Sequence, residues 1–253
     1  MGNNYFVFDG TRCTDFDIFV QRFPAQNKPA RNVEKVSIPG RNGDLRIFSG
    51  GYGNVPVSYD CYFRGGPEKA AAIAQWLYGR GAGYSVLRDT YHPGVYRLAA
   101  FDGPVDVENI LNRYGRCVLN FDCKPELFLD SGQETLEYQI QTPTPRAAQI
   151  ELYNPTAFPA KPKIRLYASG GSNATSVTID ESALTVQNID GYIDIDCDTQ
   201  NAYKGSQNQN SKIQLSGNTE FPVLAPGSNT ITIAGVGQQY VSKLEITPRW
   251  WML

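Results

Sequence analysis

Along almost the whole chain, short runs rich in Val, Ile, Tyr, Phe and Thr recur between clusters of Gly, Pro, Asn and Asp. That punctuation leaves little room for helices and predicts an all-β architecture of sandwich or barrel type. The runs lie at 5–8, 55–63, 84–88 and 95–101, then at 149–153, 163–167, 176–179, 192–196 and 229–233. Most alternate apolar with polar residues, so each strand should bury one face and wet the other.

One segment breaks the rule. In 65–79, Pro67 suits the first helical position, Glu68 suits the positive end of the helix dipole, and Gly79 can close the far end in a left-handed conformation. Ala70, Ile73, Ala74 and Leu77 recur at helical spacing and should form its buried stripe.

At 253 residues the chain is long enough for two modest domains. A shift in composition places the boundary near residue 134. Residues 1–134 hold eleven arginines and residues 135–253 only three, while the second part is rich in Thr, Asn, Gln and Ser. The turn-prone stretches 131–135 and 142–146 are the candidate linkers. A net charge of -2 argues against a protein held to nucleic acid or anionic membrane by bulk charge. The N-terminus lacks the basic and apolar regions of a secretory signal, and no apolar run reaches the ~20 residues of a membrane span. A soluble chain, made in a cytoplasm, is expected.

Few residues suggest chemistry. With His92 as its one histidine, the chain cannot build a His-rich metal site, and no Ser elbow accompanies the His92 and Asp89 pair. A turn role is therefore expected for His92. The Gly-rich stretch 79–83 follows a helix instead of opening one, so it reads as a helix stop and not as a phosphate loop. Asp194, Asp196 and Asp198 alternate like the start of a calcium loop, but Thr199 and Gly205 stand where Gly and Glu are required; a solvated outer strand face is the expectation. Cys13, Cys61, Cys117, Cys123 and Cys197 show no CxxC spacing, and Cys117, Leu119, Phe121 and Cys123 share one strand face. They read as reduced core residues. No catalytic residue, metal or cofactor is expected. Pro248 should mark an edge or crossing segment, with Trp250 and Trp251 buried against something.

Three stretches together resemble a known family. They are 33–45, with its core Ile38-Pro39-Gly40-Arg41-Asn42-Gly43-Asp44-Leu45; then 154–164; and the tail formed by 221–235 with 244–251. In order and spacing they are similar to the distal tail proteins (Dit) of siphophages that infect Gram-positive bacteria. The resemblance implies two β-sandwich domains, 1–134 carrying a helix and a hairpin and forming a ring, and 135–253 a galectin-like or carbohydrate-module-like sandwich. It also implies a structural virion protein without enzymatic activity: a homo-hexameric hub at the tail tip, joined to the tail-tube protein and the baseplate hub protein, with the tape-measure protein as a further candidate partner. Viral DNA would pass its channel without specific binding, and no membrane insertion is implied. Arg41, Asn42, Asp44, Trp76 and Arg80 are the candidate subunit or partner contacts. The alternative is a carbohydrate-binding adhesion module, with Tyr192, Tyr203 and Tyr240 as its candidate glycan contacts.

Overall fold

The computed structural model describes residues 4–22, 24, 27–79, 81–105, 107–111, 114–142, 147–169, 174–216, 220–236 and 240–253. They divide into two compact units, Met1–Leu127 with Leu253, and Phe128–Met252. The division falls inside the strand Tyr114–Leu129, earlier than the change in composition near residue 134.

In the first unit the main sheet runs in the order Thr11–Arg12, Phe6–Phe8, Ser85–Asp89, Val95–Phe101, Tyr114–Leu129, Val55–Arg64, Ile18–Val20, with Val107–Leu111 also pairing Tyr114–Leu129. Phe6 and Tyr59 stand on strands four places apart. In a flat sheet that separation would be roughly 19 Å, at ~4.8 Å per strand. Their rings stack at 4.6 Å between centroids. The sheet must therefore curl over to face itself, and the expected sandwich is made by bending one sheet. Phe6, Phe8, Tyr59, Phe63, Leu119 and Phe121 fill the space between. Cys117 lies directly opposite Cys61 across the strand pair, and both point into this core.

The helix Pro67–Tyr78, the one α-helix among the described residues, begins with Pro67 behind an extended Gly66 and carries Glu68 in its first turn. It lays Ile73 and Leu77 into the core, with Ala70 at the margin. Trp76 joins them, 7% exposed and stacked on Phe16 at 4.7 Å. Gly79 departs from expectation: its φ of -69° is right-handed. Its N–H donates to the Gln75 carbonyl, and a Cβ would stand 2.5 Å from that same oxygen, so close approach explains the glycine here.

The second unit is a two-layer sandwich. One sheet has the order Leu136–Thr142, Tyr240–Thr247, Lys163–Ser169, Gly191–Asp196, Asn201–Lys204, Gln207–Asn208; the other Ala148–Asn154, Gly227–Val236, Ala174–Ile179, Ser182–Gln187, Ile213–Ser216. Ile164, Leu166, Ile193, Ile195, Leu244 and Ile246 of the first sheet meet Val177, Ile179, Leu184, Val186, Ile231 and Ile233 of the second. The tail completes this unit. Trp250 is buried in its core, and Trp251 donates from Nε1 to the Pro159 carbonyl while stacking on Phe158. Pro248 sits just beyond a strand flanked on both sides, so it marks no edge; it ends that strand, and the chain then crosses to Trp251–Met252, which pairs with Tyr114–Leu129 of the main sheet, as a crossing segment should. The candidate linker 142–146 has its residues 143–146 outside the described residues.

Candidate assembly surface

The strands Arg31–Ser37 and Asp44–Tyr52 pair with each other and, among the described residues, with no other strand. Their turn is set by Gly40 and Gly43, at φ of 79° and 82°, and by a hydrogen bond from the Arg41 N–H to the Ile38 carbonyl. At the base, Gly50 and Gly51 both take positive φ where the register slips by a bulge. A lone two-stranded hairpin is marginal in water.

This hairpin is also exposed nearly throughout, and its exposed residues are not polar. Leu45 is 47% exposed, Ile47 44% and Phe48 53%. Leu45 opposes Val36 and shares its face with Ile47; Phe48 opposes Val33 on the other face. Lys35 stands directly across from Arg46, a like-charged pair that is unfavourable without a counter-charge. Arg31, Glu34, Lys35, Arg41, Asp44 and Arg46 make no ion pair among the described residues. Charged residues, apolar residues and backbone edges are thus all left unpartnered on one projection.

Of the expected contact residues, Arg41, Asn42 and Asp44 come together at the tip of this hairpin, all exposed. Trp76 does not join them. It packs into its own core, because the helix turns that face inward, so as a surface contact it is withdrawn. Arg80 lies outside the described residues.

The tyrosines of the alternative reading have other partners. Tyr192 carries Arg165 at 4.9 Å and Lys204 at 5.5 Å from its ring centroid, and Tyr203 carries Lys163 at 5.5 Å. The side chain of Tyr240 lies outside the described residues. The acidic strand beside them is not solvated as expected. Asp194 and Asp196 are 2% and 7% exposed, each gripped by a guanidinium through two hydrogen bonds, from Arg165 and Arg249 respectively. These carboxylates hold arginines, which excludes the cation site their spacing suggested. Among the described residues no cluster of His, Cys, Asp or Glu could hold a metal.

Asp89 and His92 form a structural turn. Asp89 Oδ1 accepts the N–H groups of Tyr91 and His92 and contacts His92 Nδ1 at 2.9 Å, while Oδ2 accepts the Tyr59 hydroxyl at 2.8 Å. All five cysteines are free and buried. Burial pushes the thiols of Cys13 and Cys117 up to about 11 and those of Cys123 and Cys197 up to about 12, which suppresses the reactive thiolate.

No family model and no curated protein matches the chain. Solved structures do. The crystal structure of SPP1 Dit (gp 19.1), a paradigm of the hub adsorption apparatus in phages that infect Gram-positive bacteria, matches with a TM-score of 0.73. The match covers 100% of both chains at 13% identity. The fold is that of Dit.

Both units therefore belong to one Dit fold that runs from end to end of the chain. The hairpin's apolar residues Leu45, Ile47 and Phe48 are the part that sequence reasoning missed. Their signal was present: Leu45 and Ile47 alternate after the Gly43 turn, as strand residues do. Reading 33–45 chiefly as a turn hid the returning strand.

Proposed function

We propose that this chain is a structural protein of a siphophage tail tip, a hub that closes into a homo-hexameric ring between the tail tube and the adsorption apparatus. The observation that carries this reading is the full-length likeness to SPP1 Dit, a hub protein, over both units. The hairpin supports it independently. A hairpin that, among the described residues, has unpaired strand edges, three exposed apolar side chains and six charges without an ion pair fits a heterologous contact, in which one copy's hairpin lies on a different surface of the next and the rotation closes a ring. The tail-tube protein on one side, the baseplate hub and the tape-measure protein on the other, would be its partners.

The charge balance suits a DNA conduit. Each phosphate neutralised by a fixed cation adds to binding, so a channel that releases DNA quickly is best built from a near-neutral or acidic protein. The carbohydrate-binding alternative has less support, since the rings of Tyr192 and Tyr203 already serve cations of their own sheet. Light scattering and negative-stain imaging of the full chain test the proposal. Particles of six-fold symmetry with a central hole are expected; a monomer at every concentration would falsify it.

A further inference from the structure

Asn42 is the one asparagine of the chain that is followed by glycine. The pair stands at the tip of the hairpin, past the turn that the Arg41 N–H closes on the Ile38 carbonyl and before the ladder begins with Asp44 opposite Ser37. Among the described residues, neither the Asn42 side chain nor the Gly43 N–H makes a hydrogen bond, and both residues are exposed. Gly43 has no Cβ to shield its own nitrogen, and its φ of 82° lies where other residues are rarely found. Asparagine is chemically labile, but elsewhere in this chain it is held or shielded. The Asn54 amide donates to Tyr84 and Asp122, Asn120 accepts the Ser58 hydroxyl, and Asn229 is wholly buried. The side chain that follows each of them, Val55, Phe121 or Thr230, stands beside the nitrogen that would have to attack.

We propose that Asn42 and Gly43 form a self-modification site, at which the folded, separated chain converts Asn42 to a mixture of aspartyl and isoaspartyl residues with no enzyme and no cofactor. The Gly43 backbone nitrogen gives up its proton to solvent base and attacks Asn42 Cγ. The bond from Cγ to Nδ2 breaks, the side-chain nitrogen takes a proton from water and leaves as ammonia, and a five-membered succinimide ring remains. One water then adds to the ring. Opening at Cγ restores the main chain with an aspartyl side chain; opening at the Asn42 main-chain carbonyl carbon leaves Gly43 joined through Cγ, an isoaspartyl link. In balance, one water enters and one ammonia leaves. Either product adds a negative charge between Arg41 and Asp44. The isoaspartyl link also adds one carbon to the backbone of the turn that sets the register of Asp44 against Ser37, in a hairpin too marginal to resist the change. The chemistry needs only the separated chain, so the ring proposed above can fail while this inference stands.

The test uses the full chain at a dilution where light scattering gives the monomer mass, held in mildly alkaline buffer and followed by peptide mapping with tandem mass spectrometry. Conversion of amide to acid is expected at Asn42 ahead of every other asparagine, and faster as pH rises, because the attacking nitrogen must lose its proton. The rate should be similar in the native and the urea-unfolded chain, since the fold does not hold the tip. The mass shift separates this reaction from isomerisation at Asp9, Asp102 and Asp190, which also precede glycine. Protein-isoaspartate methyltransferase should label the peptide that holds Asn42, and Asn42→Gln, whose longer side chain closes a ring less readily, should lose that label. An Asn42 amide that survives in the native chain while it is lost in urea would overturn the proposal, as would another asparagine that reacts first.

Discussion

At the scale of single residues, the second unit is held by charges that have left the solvent. Asp196 accepts Arg249 Nη1 and Nη2 at 2.7 and 2.8 Å, and its Oδ1 also accepts the N–H groups of Asp198 and Thr199. Burial alone would raise its pKa. The Arg249 guanidinium and the two backbone donors outweigh that and hold the carboxyl below the ordinary aspartate range. Arg249 is itself fixed, at a φ of 60°, by its N–H bond to the Gly132 carbonyl, and a side chain at Gly132 would collide with the Trp250 backbone. Asp196→Ala strands a largely buried guanidinium and should cost about 3 kcal/mol, measured by urea unfolding. Asp196→Asn keeps an acceptor for the backbone donors and should cost less. The pH dependence follows from the sign of the shift. A depressed folded-state pKa gives stability that is complete above the ordinary Asp value near ~3.9 and lost as pH falls through the lower folded value. The gap between wild type and Asp196→Asn should therefore shrink below about pH 4; a gap that widened there would refute the pairing.

At the scale of elements, the helix Pro67–Tyr78 shows how a segment is recruited by a curled sheet. Ile73 is wholly buried among aromatic residues, so Ile73→Ala removes methyl groups that the rigid rings cannot replace. A loss of about 3 kcal/mol in urea unfolding is expected, with the helix still formed by circular dichroism. Much of this level was legible in the sequence. Strands expected at 95–101 and 192–196 appear as Val95–Phe101 and Gly191–Asp196, because alternation reports directly on which side chains face a core. The burial of Cys117 and Cys123 with Leu119 and Phe121 follows from the same two-residue period. What periodicity carries no information about is partnership. Asp194 and Asp196 alternate as solvent-facing residues would, and only the fold brings Arg165 and Arg249 over them. Trp76 is similar: it stands one residue beside the expected stripe, and only the fold brings Phe6 of the sheet and Phe16 of the short turn Cys13–Phe16 against it.

At the scale of the whole molecule, the hairpin is the part whose structure makes least sense alone. Burial of Leu45, Ile47 and Phe48 by a neighbour would remove apolar surface worth ~25 cal/mol per Å². The same contact could supply carboxylates to Arg31, Lys35, Arg41 and Arg46, in keeping with the arginine-rich composition of residues 1–134. Leu45→Ser, Ile47→Ser and Phe48→Ser combined should therefore cost the molecule its assembly and leave its fold. These side chains belong to neither core, so the far-ultraviolet dichroism and the unfolding transition of the separated protein should change little. Light scattering should shift from the ring mass to the monomer mass. The charges supply a second handle: if arginine pairs cross the interface, raising salt from 50 mM to 1 M should weaken the wild-type ring, because exposed ion pairs are screened over roughly 3 Å at 1 M. A ring that tolerated both the triple substitution and high salt would place the subunit contact elsewhere than on the hairpin.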